Sequence, residues 1–492
     1  MPIPQQFLEE SFQIEAPSGY ENTVRRAIAS LLPDAKFGKG RKISVEVKSK
    51  EQSICVTVEL EGLEGKKSYV DTERFAEDEK RLRTRERIRA GVFAVISLAY
   101  NIPPSPWGTL VGVRPTKLVH ALYDEGKSKE DIANFLSDIY QVSKEKIDLL
   151  FQVADKQREF FHPSPKGPIS VYLGIPFCPT RCGYCSFAAY PLKSHGHLVA
   201  DFFEALCCEI KEIGTLLKDL AVPVESIYLG GGTPTTIRGR NLEILLALVQ
   251  EYFGESYKEF TVEAGRPETL TKNTVHILAQ ADVTRVSINP QTMRQKTLDR
   301  VGRSHTVGDV LVAFENCRSY GSFLINTDII LGLPGERVYD VEYTLTQLQP
   351  LKPDNLTVHS LAMKRAADWR QIFDELDLAQ QEGAQMLALA SQYASEWGME
   401  PYYLYRQRYI LSDLENIGFA PLGTESIYNI QMIEEKQSII GLGGGAITKF
   451  IGGINGRRIS RHANPKCPAT YAKSIQEIIA DKKSQLVKYF SV

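Results

Sequence analysis

Short apolar strands alternate with helical segments between residues 169 and 360, and this alternation limits the available folds more than any other feature. Repeated strand–helix units predict an α/β domain built on a parallel sheet. Six units form an open, partial (β/α)6 barrel, in which chemistry lies on loops at the carboxyl ends of the strands. The six strand candidates are residues 169–174, 226–229, 259–263, 285–288, 324–331 and 355–360.

The regions on either side of this alternation have a different pattern. Before it, two alternating strands (43–47 and 54–60) and three helical patterns predict an N-terminal α+β domain. The first helical pattern begins with a mixed charge run at residues 71–87, typical of a solvated helix face. After it, helices, an aromatic strand, a glycine cluster and a last helix at 471–483 predict a C-terminal capping region. With a proline-rich boundary at 162–168, the expected domains are residues 1–165, 166–366 and 367–492.

The composition excludes several classes of function. The 492 residues carry 58 basic and 60 acidic side chains, so no overall positive field attracts nucleic acid or an anionic membrane. The N-terminus lacks the pattern of a secretory signal, and the longest apolar run is too short for membrane insertion. We therefore expect a cytoplasmic protein, in which clustered cysteines indicate a metal site rather than disulfides.

Three cysteines follow the first barrel strand in the sequence GIPFCPTRCGYCSF: Cys178, Cys182 and Cys185. With eight cysteines in 492 residues, chance gives three at a fixed spacing with a probability of roughly 0.002. Buried structural thiols are one alternative. Zinc is another, with His195 or His197 as fourth ligand, but structural zinc commonly uses a second cysteine pair. Three thiolates on a 4Fe-4S cluster instead leave one iron open to the amino and carboxylate groups of S-adenosylmethionine (SAM).

Through this loop the chain resembles the radical SAM superfamily. It is more closely similar to the oxygen-independent coproporphyrinogen III dehydrogenase (oxidase) family, over roughly residues 169–449. Residues 107–117 (WGTLVGVRPTK) and the segment from 402 to 449 resemble the HemZ-type branch of that family. The resemblance implies a radical SAM barrel with Cys178, Cys182 and Cys185 as ligands of the 4Fe-4S cluster.

The same resemblance implies a set of SAM contacts that follow the barrel strands in order. Tyr172 would lie on the bound SAM, and the backbone of Tyr184 would touch its adenine. Glu263 matches a carboxylate that binds the ribose or amino group, and Gln291, Arg303 and Asp328 match further positions of the SAM site. The backbone segment that binds the SAM amino group corresponds to Gly231, Gly232 and Thr233.

The reaction implied by the family is oxidative decarboxylation of two coproporphyrinogen III propionates to vinyl groups, which yields protoporphyrinogen IX in haem biosynthesis. A 5′-deoxyadenosyl radical starts it, and an electron donor such as flavodoxin or ferredoxin supplies the reducing electron. The tetrapyrrole substrate carries four carboxylates, and Arg406 and Arg408 are candidate partners for them. Two departures lie in the cysteine loop: Phe187 stands where the dehydrogenases carry a fourth cysteine, and Gly174 where most relatives have histidine.

Two other functions remain open at the level of sequence. One is a haem chaperone, a relative with the same cysteine loop that binds haem without decarboxylation. That group typically carries a His-Asn-x-x-Tyr-Trp motif, and this sequence contains no Tyr-Trp pair. The other is a radical SAM enzyme that modifies RNA, for which we find no basic patch.

Overall fold

The computed structural model describes residues 10–491 apart from short gaps, and these residues form two compact units, 1–151 and 152–492. In the described part of the chain, no helix is long and apolar enough to cross a membrane. The residues outside the description are 1–9, 33, 51–52, 64–65, 73–76, 103, 111, 163–166, 255–256, 363–372, 408–410, 453–457 and 492.

The N-terminal unit contains a five-stranded sheet in the order β2-β1-β3-β4-β5, where β1 is parallel to both neighbours and β3 to β5 form an antiparallel meander. Its core gathers the buried faces of the sheet and of the first two helices. The strands are β1 (Ser11–Glu15), β2 (Lys36–Phe37), β3 (Arg41–Lys50), β4 (Ser53–Leu60) and β5 (Lys67–Asp71). The helices are α1 (Glu21–Leu31), α2 (Glu77–Tyr100), α3 (Thr116–Asp124), α4 (Lys129–Tyr140) and α5 (Lys144–Arg158), the last of which crosses the division between the units.

Within the described residues, the charge run at the start of α2 is solvated only at its beginning: Glu79 and Arg81 are exposed as expected, whereas the last residues of the run are buried, contrary to the expectation. Glu86 and Arg87 are only 3% and 6% exposed. Arg83 and Arg87 bind the buried Asp71 of β5 at 3.2 and 3.6 Å, so these two charges cross to the sheet, whereas Glu86 pairs along the helix with Arg89. A buried carboxylate needs such partners because desolvation penalises its charge.

The second unit is built on an eleven-stranded sheet in the order β14-β15-β13-β12-β11-β10-β9-β6-β16-β17-β18. Its centre is six consecutive parallel strands, each followed by helices, and this confirms the predicted partial (β/α)6 barrel. The parallel strands are β6 (Ile169–Ile175), β9 (Val224–Gly231), β10 (Glu259–Glu263), β11 (Arg285–Ser287), β12 (Leu324–Leu331) and β13 (Asn355–Ser360), and a short pair β7 (Phe177–Cys178) and β8 (Tyr190–Pro191) follows β6. The helices are α6 (Leu192–His195), α7 (Val199–Asp219), α8 (Arg240–Phe253), α9 (Lys272–Gln280), α10 (Gln295–Arg300), α11 (Val307–Tyr320), α12 (Val338–Leu348) and α13 (Phe373–Glu396).

Strands from the C-terminal region pair with both sides of the parallel strands. β15 is antiparallel to β13, whereas β16 is parallel to β6 and begins an antiparallel extension. Because residues 152–492 form one compact unit, the predicted division at residue 366 stays a prediction. The elements are β14 (Glu400–Tyr405), β15 (Asn416–Ala420), α14 (Ile427–Glu434), β16 (Ile439–Gly443), β17 (Ile447–Gly452), β18 (Arg458–Ala463), α15 (Pro468–Lys473) and α16 (Ile475–Phe490).

One local expectation for this region is wrong: the single helix predicted at 471–483 is broken between α15 and α16. The glycine cluster includes the buried strand β16. Helix α14 begins where the buried carboxylate of Glu259, in β10, accepts hydrogen bonds from Ser426 Oγ at 2.9 Å and Ile427 N at 2.9 Å. A carboxylate at a helix N-terminus satisfies free N–H groups, so β10 fixes the start of α14.

Candidate functional site

The three predicted cluster ligands lie on the loop that leaves the carboxyl end of β6. Cys178 and Cys182 are buried and Cys185 is half-buried. The pKa of the Cys178 thiol is raised to about 11, chiefly by burial and also by the neighbouring Cys185 and Cys182, while the hydrogen bond from Thr233 opposes the shift. Three poorly solvated thiolates need a positive partner, so this donor set fits a cluster of iron ions.

The loop is also held by polar groups directed at the sulfur atoms. Thr233 Oγ1 donates to Cys178 Sγ at 3.4 Å, while Arg266 Nη1 and Arg303 Nη1 lie 3.9 and 4.0 Å from Cys182 Sγ. Both guanidinium groups are buried. Donors and positive charge near the sulfurs stabilise an anionic thiolate cluster and tune its potential.

Arg266 is a candidate site residue that the sequence analysis missed. Its guanidinium donates to Thr180 Oγ1 at 2.9 Å and to Glu268 Oε1 at 2.8 Å, so it ties the cysteine loop to the loop after β10. The sequence could have indicated Arg266 through its position in TVEAGRPE, three residues after Glu263. Loops at the carboxyl ends of barrel strands carry the chemistry.

Arg303, a predicted SAM contact, uses its donors inside the protein. It donates to the carbonyl oxygens of Gly265 and Asn289, both at 2.6 Å, and to the Tyr184 hydroxyl at 2.9 Å. The Tyr184 ring packs on a cluster of buried apolar side chains. The structure therefore brings Arg303, Tyr184 and Cys182 together as a support for the cysteine loop, and their contacts with SAM stay predictions.

The glycine segment at the end of β9 packs on the cysteine loop through its backbone. Gly232 N donates to Ile175 O at 2.8 Å and Thr233 N to Phe177 O at 2.7 Å, and a Cβ at Gly232 would lie 2.5 Å from that second carbonyl. Gly231, at φ +106°, directs its N–H to Glu263. An amino group donates hydrogen bonds, so the amino group of SAM would bind carbonyl oxygens of this segment and not its N–H groups.

Two predicted carboxylates face the barrel interior. Burial raises the pKa of Glu263 to about 7; the hydrogen bond from the Tyr228 hydroxyl, 2.6 Å from Oε1, opposes that shift and the charge of Asp328 adds to it. Asp328 Oδ2 lies 3.5 Å from His359 Nε2, whose ring also contacts the Tyr405 hydroxyl at 3.1 Å. Two carboxylates in a half-buried interior suit a cationic ligand such as SAM.

Gln291 connects the loop after β11 to the backbone of Asp328. It has a left-handed backbone (φ +69°), and its N–H donates to Asp328 O at 3.1 Å. Within the described residues, its buried Oε1 has no hydrogen-bond partner. A buried carbonyl left unpaired costs free energy, so this amide fits a site that a polar ligand completes.

The two departures from the family pattern have different surroundings. A Cβ at Gly174 would lie 2.7 Å from Gly444 O, and Gly444 N donates to Gly174 O at 2.9 Å. A histidine at 174 would therefore displace the backbone of Gly444, directly after β16. Phe187 is 69% exposed, and its backbone hydrogen bonds to Cys185.

Other candidates from the sequence lie in separate places. His195 Nδ1 bonds Ser194 Oγ at 2.8 Å, and its ring packs on Tyr190. Arg406, a candidate for substrate carboxylates, is buried and pairs with Asp413 Oδ1 at 2.5 Å. Arg408 lies outside the described residues.

A barrel of parallel strands with this cysteine loop defines a radical SAM protein, and the Radical SAM superfamily model matches residues 172–348. Over 456 residues the chain is 37% identical to the oxygen-independent coproporphyrinogen-III oxidase-like protein HemZ of Bacillus subtilis (strain 168), covering 91% of this chain and 90% of that protein. The chain belongs to this HemZ-type family within the radical SAM superfamily. Its cofactors are those of this superfamily, a 4Fe-4S cluster and SAM.

Two further comparisons show the breadth of the relatives. The chain is 30% identical over 289 residues to the heme chaperone HemW of Bacillus subtilis (strain 168), covering 58% of this chain and 71% of that protein. The structure of coproporphyrinogen III oxidase (HemN) from Escherichia coli superposes with a TM-score of 0.51 at 21% identity, covering 66% of this chain and 73% of that one. That likeness shows the shared fold.

Proposed function

We propose that the protein catalyses the oxygen-independent oxidative decarboxylation of coproporphyrinogen III propionates to vinyl groups, giving protoporphyrinogen IX. The observation that carries this proposal is the 37% identity to the coproporphyrinogen-III oxidase-like protein over 90% of its length. We assign the cluster to Cys178, Cys182 and Cys185, whose sulfurs are surrounded by two buried arginines and a threonine hydroxyl.

We assign SAM to the interior beside this loop. When bound, the cluster and SAM supply one-electron chemistry that produces a hydrogen-abstracting carbon radical. Glu263 and Asp328 offer negative charge to the cationic cofactor, and the unpaired Gln291 Oε1 offers an acceptor. The glycine segment, residues 230–233, lies close to the Glu263 carboxylate because Gly230 has no side chain. A Cβ at Gly230 would lie 2.8 Å from Glu263 Oε2. The remaining predicted contacts are Tyr172, Tyr184, Gly231, Gly232, Thr233 and Arg303.

The substrate would enter above the same interior, where the protein's task is to orient the propionates and exclude water. Arg406 is already engaged with Asp413, so we propose that it acts on a substrate carboxylate only by exchanging that partner. We also propose a cytoplasmic location and a small electron-transfer protein, flavodoxin or ferredoxin, as the partner that reduces the cluster.

A haem chaperone is the second candidate, because the chain is 30% identical over 289 residues to the heme chaperone HemW. The two functions differ in products rather than in fold. A chaperone binds haem stably and releases no carbon dioxide, whereas a dehydrogenase consumes SAM and releases carbon dioxide from the propionates.

The deciding experiment is anaerobic. The reconstituted protein receives reductant, SAM and coproporphyrinogen III, and vinyl product, carbon dioxide and 5′-deoxyadenosine are measured. We expect the amount of vinyl product to rise in proportion to the amount of 5′-deoxyadenosine. Stable haem binding without carbon dioxide release would reject the dehydrogenase in favour of the chaperone, and SAM cleavage with neither result would reject both substrates.

A further inference from the structure

Three tyrosine rings form a stack in the barrel interior: Tyr172 of β6, Tyr228 of β9 and Tyr428 of α14. The ring centroids of Tyr228 and Tyr428 are 4.3 Å apart at an interplanar angle of 22°. The Tyr172 ring lies 6.2 Å from that of Tyr228 and 6.0 Å from that of Tyr428, at 22° and 17°. Near-parallel rings in contact allow an electron to pass between them, and only Tyr172 has a role in the proposed function.

One member of this tyrosine stack has a built-in proton acceptor. The Tyr228 hydroxyl donates to Glu263 Oε1 at 2.6 Å, and burial raises the pKa of that carboxyl to about 7. Besides Tyr228, the carboxyl also senses Asp328 of β12 and His359 of β13. A phenol that loses an electron becomes strongly acidic, so a hydrogen-bonded carboxylate of this kind can take its proton at once.

The stack lies directly beneath the glycine segment that we assign to SAM. A Cβ at Gly230 would meet Glu263 Oε2 and Tyr228 Cε1, both at 2.8 Å, and Tyr172 Cε2 at 3.2 Å. The rings and the carboxylate therefore converge on one backbone position. An oxidising radical formed at that segment would have these phenols as neighbours.

We propose that Tyr228 and Glu263 form a redox-active pair that quenches a carbon radical generated when no substrate is present. Tyr228 gives up one electron through the tyrosine stack, and its hydroxyl proton moves to Glu263 Oε1. The carbon radical gains that electron and a solvent proton, so a new C–H bond forms and a neutral phenoxyl radical remains on Tyr228. The overall transfer is downhill because a phenol O–H bond is weaker than the C–H bond of a methyl group.

This role goes beyond the proposed function, since it needs no tetrapyrrole. The Tyr228–Glu263 pair would protect the cysteine loop and the buried arginines from a carbon radical that has not reacted with substrate. A phenoxyl radical in a buried stack is long-lived, because solvent and other reactants reach it slowly.

The test uses the full chain with its reconstituted cluster, SAM and dithionite in D2O, without tetrapyrrole. The signal of a tyrosyl radical is expected in the electron paramagnetic resonance spectrum. That signal should become narrower when the protein is labelled with ring-deuterated tyrosine. Deuterium is expected in the 5′-deoxyadenosine measured by mass spectrometry. Tyr228→Phe should lose the radical signal and most of the deuterium. Tyr402→Phe is the matched control, because Tyr402 is also buried but bonds the Asn355 amide at 2.9 Å instead of a carboxylate.

The inference is overturned if wild-type protein cleaves SAM without a tyrosyl signal, or if Tyr228→Phe keeps that signal. A second measurement avoids the cofactors: a photogenerated ruthenium(III) complex oxidises the cluster-free chain by one electron. The tyrosyl yield should fall in Tyr228→Phe and not in Tyr402→Phe, and equal yields in the two variants would also refute the pair. Vinyl product from Tyr228→Phe with coproporphyrinogen III is scored separately, so failure of the substrate assignment does not count against this inference.

Discussion

Lys482→Met should destabilise the unit of residues 152–492 by about 3–5 kcal/mol, because it leaves a buried carboxylate without its cation. The Lys482 and Glu209 side chains are 4% and 0% exposed, and their Nζ and Oε1 atoms are 2.5 Å apart. Lys482 Nζ also donates to Gly441 O at 2.5 Å. Glu209 accepts hydrogen bonds from Gly443 N and the Tyr471 hydroxyl, both at 2.7 Å. The carboxylate therefore joins α7 to β16 and to the last two helices.

The magnitude can be checked with a double-mutant cycle of Lys482→Met and Glu209→Gln. The double variant contains neither buried charge, so no uncompensated charge is left in the core. Its loss of unfolding free energy should therefore be smaller than the sum of the losses in the two single variants, by about 0.5–3 kcal/mol. Unfolding of the second unit is followed by differential scanning calorimetry and urea titration, and differences between variants are compared under one condition. Strict additivity, or a cost of Lys482→Met below about 1 kcal/mol, would show that the pair is not the buried constraint described.

Four further outcomes are expected. Cys182→Ala should abolish the cluster, and an intact 4Fe-4S absorption spectrum in that variant would refute the ligand assignment. Arg266→Met should keep the fold by circular dichroism but speed the loss of iron to a chelator, because a buried positive charge near Cys182 Sγ is removed; an unchanged rate would contradict this role. SAM affinity should weaken as pH falls through about 7, because Glu263 gains a proton and loses its charge; equilibrium dialysis of wild type and Glu263→Gln should show a flatter profile in the variant. Gly174→His should yield little folded protein because its Cβ would meet Gly444 O at 2.7 Å, and full solubility with normal cluster loading would contradict the close approach.

The central fold was predictable because its signal is local. Parallel strands are buried on both faces, so they read as short apolar runs, and β10, β12 and β13 begin and end where those runs do. The strand β16 was not recognised, because the run IIGLG contains two glycines and its partner β6 lies far away in sequence. Glycine weakens a strand pattern, but here the close approach of two backbones requires it.

The residues of the candidate site also divide into those with a local sequence signal and those that depend on contacts distant in sequence. Cys178, Cys182 and Cys185 are found from their spacing, which is a local property. Arg266 and the hydrogen bond from Tyr228 to Glu263 depend on which loops and strands become neighbours, so spacing alone could not reveal them. The burial of Glu86 was missed for a related reason, since its charge run resembles a solvated helix until packing against the sheet is known.

The pairing of β6 with β16 bears on the order of events during synthesis. Ser170 in β6 hydrogen bonds Gln437, 267 residues later in the chain, and Gly443 then contacts Glu209. The first barrel strand therefore emerges from the ribosome long before its neighbour exists, and the base of the cysteine loop has one side unpaired until then. Iron incorporated earlier would meet a loop that can still open. We expect cluster assembly to follow completion of the chain, and the nascent protein to need shielding of β6 until that point.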